Sequence, residues 1–161
     1  MKIKYIISFA FILFFGVSAT ASDEFYFASL KKKEVNWRTG PGERYPIQWI
    51  YQEQGYPVKV LDTYDIWRQV QEADGTIGWV HKRMLSDKRT VLVRQEGQLL
   101  KKPNADARVM ALVEVGTIGK VERCPADSSY CQLVFTYQGK DVKGWFPRSQ
   151  VWGLEAGEEI D

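Results

Sequence analysis

The chain has 161 residues, with 22 Lys or Arg against 20 Asp or Glu, which gives a formal net charge of +2. Two of the basic residues, Lys2 and Lys4, lie in an initial segment with the features of a leader, so the 20 basic and 20 acidic side chains of the remainder balance. A balanced charge argues against nucleic acid or an anionic membrane surface as the main partner, because both favour proteins with a strong positive field.

The first predicted element is a secretory signal peptide over residues 1–21. Two lysines precede an apolar run over residues 5–17, and the small residues Ala19 and Ala21 follow it. A basic start, an apolar core of about 7–15 residues and a small-x-small cleavage site are typical of such a leader. The run is shorter than the about 20 apolar residues that span a membrane. We therefore expect cleavage after Ala21, no membrane span in the exported chain, and a periplasmic or secreted location.

Short strands are predicted throughout the exported part. Val, Ile, Trp and Tyr alternate with polar residues in short runs, with Gly, Asp or Pro turns about every 8–12 residues. Asp74-Gly75 and Gln138-Gly139 each lie between two such runs, as a hairpin turn requires. No run after the leader keeps a 3.6-residue period. This pattern predicts an all-β protein made of small antiparallel barrels or sandwiches.

A degenerate internal repeat divides the exported part into two copies. The run over residues 78–85 parallels residues 144–151, at offsets that drift between 61 and 66 over the whole repeat. Upstream the paired residues are Gly55 with Gly116, Val70 with Val134 and Trp67 with Cys131. We predict a first domain over residues 25–87, a second over residues 88–154, and a frayed acidic tail over residues 155–161.

The opening of the first copy carries the most specific motif. Val35 and Trp37 alternate into Thr39-Gly40-Pro41-Gly42, and Tyr45-Pro46 follows. This stretch resembles the V-N-x-R-x-G-P-x…Y-P signature of bacterial SH3-like domains, and Trp67 with Gly78-Trp79-Val80 is similar to the later half of that family's pattern. The resemblance implies two small, partly open β-barrels in tandem. It also implies a binding role, because such modules outside the cytoplasm commonly attach to cell-wall peptides or glycan.

Aromatic and arginine side chains near the loops of the first copy are the candidate ligand contacts. In SH3-like folds the corresponding loops line the ligand groove, and aromatic faces beside arginine suit sugar stacking or peptide carboxylates. The candidates are Arg38, Arg44, Tyr45, Trp49 and Trp67. For Trp49 and Trp67 a core role stays open, and Arg38 either braces its own loop or contacts a ligand. Trp37 and Trp79 are predicted to fill the core.

Cys124 and Cys131 are predicted to form a disulfide. They are the only cysteines of an exported chain, and oxidising compartments favour disulfides. Closing so short a loop stabilises a domain by about 2–3 kcal/mol in the chain-entropy model.

The residue types needed for catalysis are scarce, so we expect no enzymatic activity. His81 is the only histidine, which leaves at most one candidate base for a nucleophilic serine or cysteine. One histidine beside paired cysteines cannot supply a zinc site, and we expect no metal or cofactor. The function that the resemblance to bacterial SH3-like domains implies is binding of a cell-wall peptide or glycan. The alternatives are an adaptor that docks an envelope enzyme or transporter and, last, a cryptic hydrolase.

Overall fold

The computed structural model describes residues 25–161, so the predicted signal peptide over residues 1–21 lies outside the described part. Residues 25–161 include two single-turn 3₁₀ helices, at Lys82–Met84 and Arg148–Gln150. The first seven strands are β1 Tyr26–Leu30, β2 Val35–Arg38, β3 Ile47–Tyr51, β4 Pro57–Tyr64, β5 Trp67–Gln71, β6 Ile77–His81 and β7 Leu85–Ser86. The next seven are β8 Thr90–Val93, β9 Gly97–Leu100, β10 Val109–Val113, β11 Ile118–Arg123, β12 Tyr130–Tyr137, β13 Lys140–Pro147 and β14 Val151–Trp152. Over residues 25–161, no helix has the length and apolar character to cross a membrane.

The strands form two seven-stranded sheets with the same internal order. The first, which we call the first module, runs β3-β2-β6-β5-β4-β1-β7, and the second module runs β10-β9-β13-β12-β11-β8-β14. Each strand of the second order is thus the counterpart of the strand seven places earlier. The two end strands of each order do not pair with each other, so each barrel stays partly open. The predicted all-β fold with two SH3-like barrels is confirmed, and the predicted boundary between residues 87 and 88 falls between β7 and β8.

The core of the first module is built around Trp37, which is fully buried. Its indole lies directly on the backbone of Gly78, where an added Cβ would be 1.9 Å from Nε1. Glycine at position 78 is therefore what lets the indole enter. Small and β-branched side chains complete this core: Ala28, Leu30, Val35, Val58, Val60, Val70 and Val80. The prediction that Trp37 fills the core is confirmed, whereas Trp79 is only half-buried. Trp79 follows Gly78, which lies against the core, and successive residues of a strand face opposite sides of the sheet. The Trp79 side chain therefore faces away from the barrel interior.

The second module encloses the predicted disulfide in its core. Cys124 and Cys131 are bonded to each other and fully buried, so this prediction is confirmed. Leu99 lies over Gly144, where a Cβ would be 2.6 Å from its Cγ, and so repeats the packing of Trp37 over Gly78. The rest of the core consists of Val91, Val93, Val113, Leu133, Phe135 and Phe146.

Strand pairing corrects the predicted repeat alignment by one residue. Trp67 pairs with His81, and Tyr130 pairs with Pro147; His81 and Pro147 each precede the 3₁₀ turn of their module. Tyr130 is therefore the counterpart of Trp67, and the alignment of Trp67 with Cys131 is wrong. The loop before β12 is longer than the corresponding loop before β5, and this changes the offset between the two copies at that point. On a strand, a shift of one residue moves a side chain to the other face of the sheet.

The C-terminal segment is ordered, which contradicts the predicted fraying of residues 155–161. Ile160 and Cys124 exchange two backbone hydrogen bonds of 2.7 and 3.0 Å, and Ile160 packs against the second core. Glu158 accepts hydrogen bonds from the Arg89 guanidinium, one of them at 2.9 Å. The prediction failed because it weighed the acidic composition and missed the apolar Ile160 and a cation 69 residues away.

The two modules pack directly on one another. The rings of Phe27 and Trp152 meet edge to face at 5.0 Å, and Lys59 forms an ion pair of 2.9 Å with Glu155. Nη1 of Arg94 also donates to the Ala73 carbonyl at 2.8 Å. Each module thus supplies apolar and charged groups to a shared interface.

Candidate functional site

The loop over residues 39–46, between β2 and β3, is held by its own backbone. The Thr39 N–H donates to the Pro46 carbonyl at 3.1 Å, and the Tyr45 N–H donates to the Gly42 carbonyl at 3.1 Å. The ring of Tyr45 packs over Gly40, where an added Cβ would lie 2.4 Å from Cδ1. A glycine at position 40 therefore allows the aromatic ring to close the loop.

Arg38 braces this loop from below. Its Nη1 donates to the carbonyl oxygens of Glu43 at 3.0 Å and of Tyr45 at 2.9 Å. Its guanidinium carbon also lies 6.0 Å from the ring centroid of Trp67, within the range of a cation–π contact. Arg38 thus joins the loop to β5 and acts as a positioning residue, which is one of the two roles considered for it.

Trp67 forms the floor beside the loop and is 8% exposed. Its indole meets the imidazole of His81 edge to face at 5.5 Å. Nδ1 of His81 accepts a hydrogen bond of 3.0 Å from the Arg83 N–H, so the proton of the neutral ring is on Nε2. These contacts fix the orientation of the indole, which at 8% exposure offers a ligand little open surface.

Exposed side chains form the rim above this floor. The guanidinium carbon of Arg44 lies 5.3 Å from the centroid of the Tyr45 ring, and Arg44 is exposed. Tyr64 is 62% exposed and pairs with Trp67 across β4 and β5, which places both side chains on one face of the sheet. The exposed Lys82 and Arg83 follow His81. The rim therefore combines aromatic faces with positive charge.

The structure brings four of the five candidate contacts together and separates the fifth. We call Arg38, Arg44, Tyr45 and Trp67 the arginine–aromatic cluster. Trp49 instead stacks on Trp37, with ring centroids 6.4 Å apart, and is 38% exposed. Trp37 and Arg38 point to opposite faces of β2, so Trp49 lies on the other side of the β2–β3 hairpin from the cluster.

The second module has the same loop backbone without these side chains. Residues 101–108 repeat the hydrogen bonds of residues 39–46: Lys101 N–H to Arg108 carbonyl at 2.9 Å, and Ala107 N–H to Asn104 carbonyl at 3.2 Å. By this correspondence and the strand pairing, the counterparts of Arg38, Arg44, Tyr45 and Trp67 are Leu100, Asp106, Ala107 and Tyr130. The arginine–aromatic cluster is thus a property of the first module alone.

Sequence reasoning missed His81 and Tyr64 as members of this site. The positions of the hairpin turns in the sequence indicate both residues. An antiparallel hairpin with its turn at residues 72–76 pairs Trp67 with His81. A hairpin with its turn at residues 65–66 pairs Tyr64 with Trp67. Applying the register of each turn would have placed all three together.

Two surface cavities lie away from the cluster. One of about 600 Å³ in the second module is lined by Arg148 and by residues 126–129 and 154–157, but Nη2 of Arg148 donates to the carbonyls of Pro125 and Glu158, both at 2.9 Å. A second of about 330 Å³ lies between the modules, beside Tyr56 and Glu72. Within residues 25–161, no group of three or more His, Cys, Asp or Glu side chains is placed to hold a metal ion.

Comparison with known proteins identifies the first module. Residues 31–87 match the family described as bacterial SH3 domain. Among solved structures, the chain is similar to NlpC1 from Trichomonas vaginalis, with 11% identity, a TM-score of 0.36, and coverage of 83% of this chain and 48% of that one. It is also similar to NlpC2 from the same organism, with 11% identity, a TM-score of 0.36, and coverage of 82% and 49%. The chain thus spans about half the length of these two proteins, and no curated protein matches it. Over residues 31–87, which make up most of the first module, the chain thus matches the bacterial SH3 domain family.

Proposed function

We propose that the protein is a non-enzymatic binding protein of the cell envelope, and that its first module recognises a peptide or glycan of the cell wall. The observation that carries the proposal is the arginine–aromatic cluster, which the second module lacks on the same loop backbone. The match to the bacterial SH3 family supports a binding role. The buried disulfide supports an extracytoplasmic location, because such bonds persist in oxidising compartments.

The chemistry of the rim favours a ligand that carries carboxylates beside flat, apolar surfaces. Arg44 is exposed, and its planar guanidinium can donate two parallel hydrogen bonds to one carboxylate. Tyr64 is 62% exposed and offers a ring face on which a sugar ring or a peptide side chain can stack. Wall peptides and their glycan strands present both kinds of group, so one ligand can engage arginine and aromatic rings together.

The test exchanges side chains between the two loops. In Arg44→Asp with Tyr45→Ala, the first module receives the side chains that the second module carries on the same backbone. We expect this variant to fold and its affinity for purified peptidoglycan in a sedimentation assay to fall about tenfold or more, because the charge-assisted contact of Arg44 and the Tyr45 ring that closes the loop are both lost. The matched control is Asp106→Arg with Ala107→Tyr in the second module, which should bind at least as well as the unaltered protein.

The proposal fails if the first-module variant sediments with peptidoglycan like the unaltered protein, or if the unaltered protein stays in the supernatant at every salt concentration. An adaptor role predicts a different result, namely loss of one stable envelope protein from an affinity capture on Trp67→Ala while wall binding persists. Zymography on wall substrate should show no clearing at any protein load, and clearing would overturn the non-enzymatic part of the proposal.

A further inference from the structure

The C-terminal segment, residues 155–161, contacts the second module as a short bound peptide would. Its backbone attachment is one antiparallel bridge outside the named strands, in which Ile160 and Cys124 exchange two hydrogen bonds. The Ile160 side chain packs against the core of that module. Main-chain pairing beside a strand, together with a side chain held in an apolar site, is how peptides bind by strand addition.

The charges of the segment and of the surface beneath it are complementary. The segment carries four acidic side chains and no basic one. The Glu158 carboxylate accepts hydrogen bonds from both terminal nitrogens of Arg89, and the Glu158 carbonyl accepts one of 2.9 Å from Nη2 of Arg148. Nη1 and Nε of Arg148 are buried and have no hydrogen-bond partner within residues 25–161. The surface therefore suits an acidic peptide, and the segment leaves part of its hydrogen-bonding capacity unused.

The segment does not pack on the module along its whole length. Residues 154–157 line the cavity of about 600 Å³ together with residues 126–129 of the module, and Ala156 and Gly157 are exposed. The only large apolar side chain of the segment is that of Ile160. A segment with so few apolar contacts can detach while the barrel stays folded.

The segment covers the part of the second barrel that corresponds to the rim of the first module's site. Arg148 and Lys82 each begin the 3₁₀ turn of their module. Counted along the paired hairpins, Cys124 is the counterpart of Thr63, which is next to Tyr64. Lys82 and Tyr64 both belong to the rim of the first module. The segment thus lies where the first module presents its exposed candidate contacts.

We propose that residues 155–161 are an intramolecular ligand of the second module, and that the surface beneath them is a peptide-binding site. When the segment is displaced, this site takes an extended acidic peptide that carries an aliphatic residue, as the segment itself does. The site is separate from the arginine–aromatic cluster and does not depend on wall binding by the first module. A tethered ligand competes at an effective concentration of about 1 mM or more, so an external peptide binds the unaltered chain weakly.

Hydrogen exchange in the unaltered chain tests whether the segment detaches from the folded module. The Ile160 amide donates to the Cys124 carbonyl at 3.0 Å, and the Val93 amide donates to the Thr117 carbonyl at 3.0 Å. Because the two bonds have the same length, a difference in exchange reports a difference in local opening. We expect the protection factor of Ile160 to be at least about tenfold below that of Val93. Equal protection would mean that the segment opens only with the whole module, and would overturn the proposal.

Peptide binding tests the site itself. The probe is a synthetic peptide with the sequence of residues 154–161, acetylated and amidated so that its ends carry no charge. Glu158→Ala with Ile160→Ser in the full chain removes the two anchoring side chains and gives the released variant. By isothermal titration calorimetry this variant should bind the probe with a Kd below about 1 mM, at least about tenfold more tightly than the unaltered chain does.

The matched control is Glu159→Ala with Asp161→Ser in the full chain. Both residues are exposed, and within the described residues neither forms an ion pair, so this variant should bind the probe as weakly as the unaltered chain does. A probe with Glu158→Lys should bind the released variant at least about tenfold more weakly, because a like charge then faces Arg89.

The inference is wrong if the released variant, with an unchanged circular dichroism spectrum, does not bind the probe at about 1 mM. It is also wrong if the unaltered chain binds the probe equally well, or if the lysine-containing probe binds as tightly as the original. Should the double substitution unfold the module, the exchange measurement on the unaltered chain decides.

Discussion

Replacement of Gly78 by alanine tests how the first core is assembled. A Cβ at this position would lie 1.9 Å from Nε1 and 2.1 Å from Cδ1 of Trp37, about half of an ordinary carbon–carbon contact distance. Trp37 is fully buried among the core side chains and cannot withdraw without displacing them. Overpacking of a closed core costs about 1–3 kcal/mol and occasionally more, and a clash this deep with a rigid indole belongs at the upper end. We expect Gly78→Ala to lower the free energy of unfolding by about 3 kcal/mol or more.

The assay is urea unfolding followed by tryptophan fluorescence, with Gly75→Ala as the matched control. Gly75 lies on the same hairpin and has φ +93°, but nothing lies within 4 Å of an added Cβ. The Gly75→Ala substitution therefore lowers the free energy of unfolding only through the left-handed backbone conformation, by about 1–2 kcal/mol. The packing argument is refuted if Gly78→Ala costs no more than Gly75→Ala.

Three further predictions concern the second module and the interface. Burial alone would raise the pKa of Glu158, but hydrogen bonds from Arg89 and from the Glu155 N–H outweigh it and lower the pKa below its usual 4.5. The ionised Glu158 carboxylate therefore contributes fully to stability above about pH 4.5. This contribution is lost as the pH falls through the pKa of Glu158 in the folded state. The protection factor of the Ile160 amide against hydrogen exchange should fall there, and Glu158→Gln should remove that pH dependence. Reduction of the disulfide should lower the melting temperature of the second module and spare the first, and two free thiols titrated in denatured, unreduced protein would contradict the bond itself. Trp152→Ala removes the edge-to-face contact with Phe27, worth about 0.5–1.5 kcal/mol beyond buried area, and should split one calorimetric transition into two; a transition that stays single would argue against coupling through these rings.

The local features of the fold could be predicted because each depends on neighbouring residues. The glycines and proline of residues 39–42 indicate a tight loop whatever lies around them, and period-two runs with turns indicate short antiparallel strands. The cysteine pair and the burial of Trp37 followed from compartment and residue type. These are the features that the structure confirms.

Features that depend on distant residues were harder to predict. Arg38 meets Trp67 across 29 positions of the sequence, and Glu158 meets Arg89 across 69; no local pattern encodes either contact. The alignment of Trp67 with Cys131 failed because similar runs of β-branched and aromatic residues match equally well in neighbouring registers. Counting from the hairpin turns, rather than matching residue types, is what recovers the true counterpart, Tyr130.

The contact between the modules has a consequence for how the molecule reaches its targets. Tandem domains on a flexible linker search a volume, and their joint affinity depends on the length of that linker. Here only residues 87–89 separate β7 from β8, and the side chain of Arg89 is itself held by Glu158. The short linker and the contacts between the modules limit how far the two can move apart, so a target that engages both halves at once must offer two points of attachment at a matching separation.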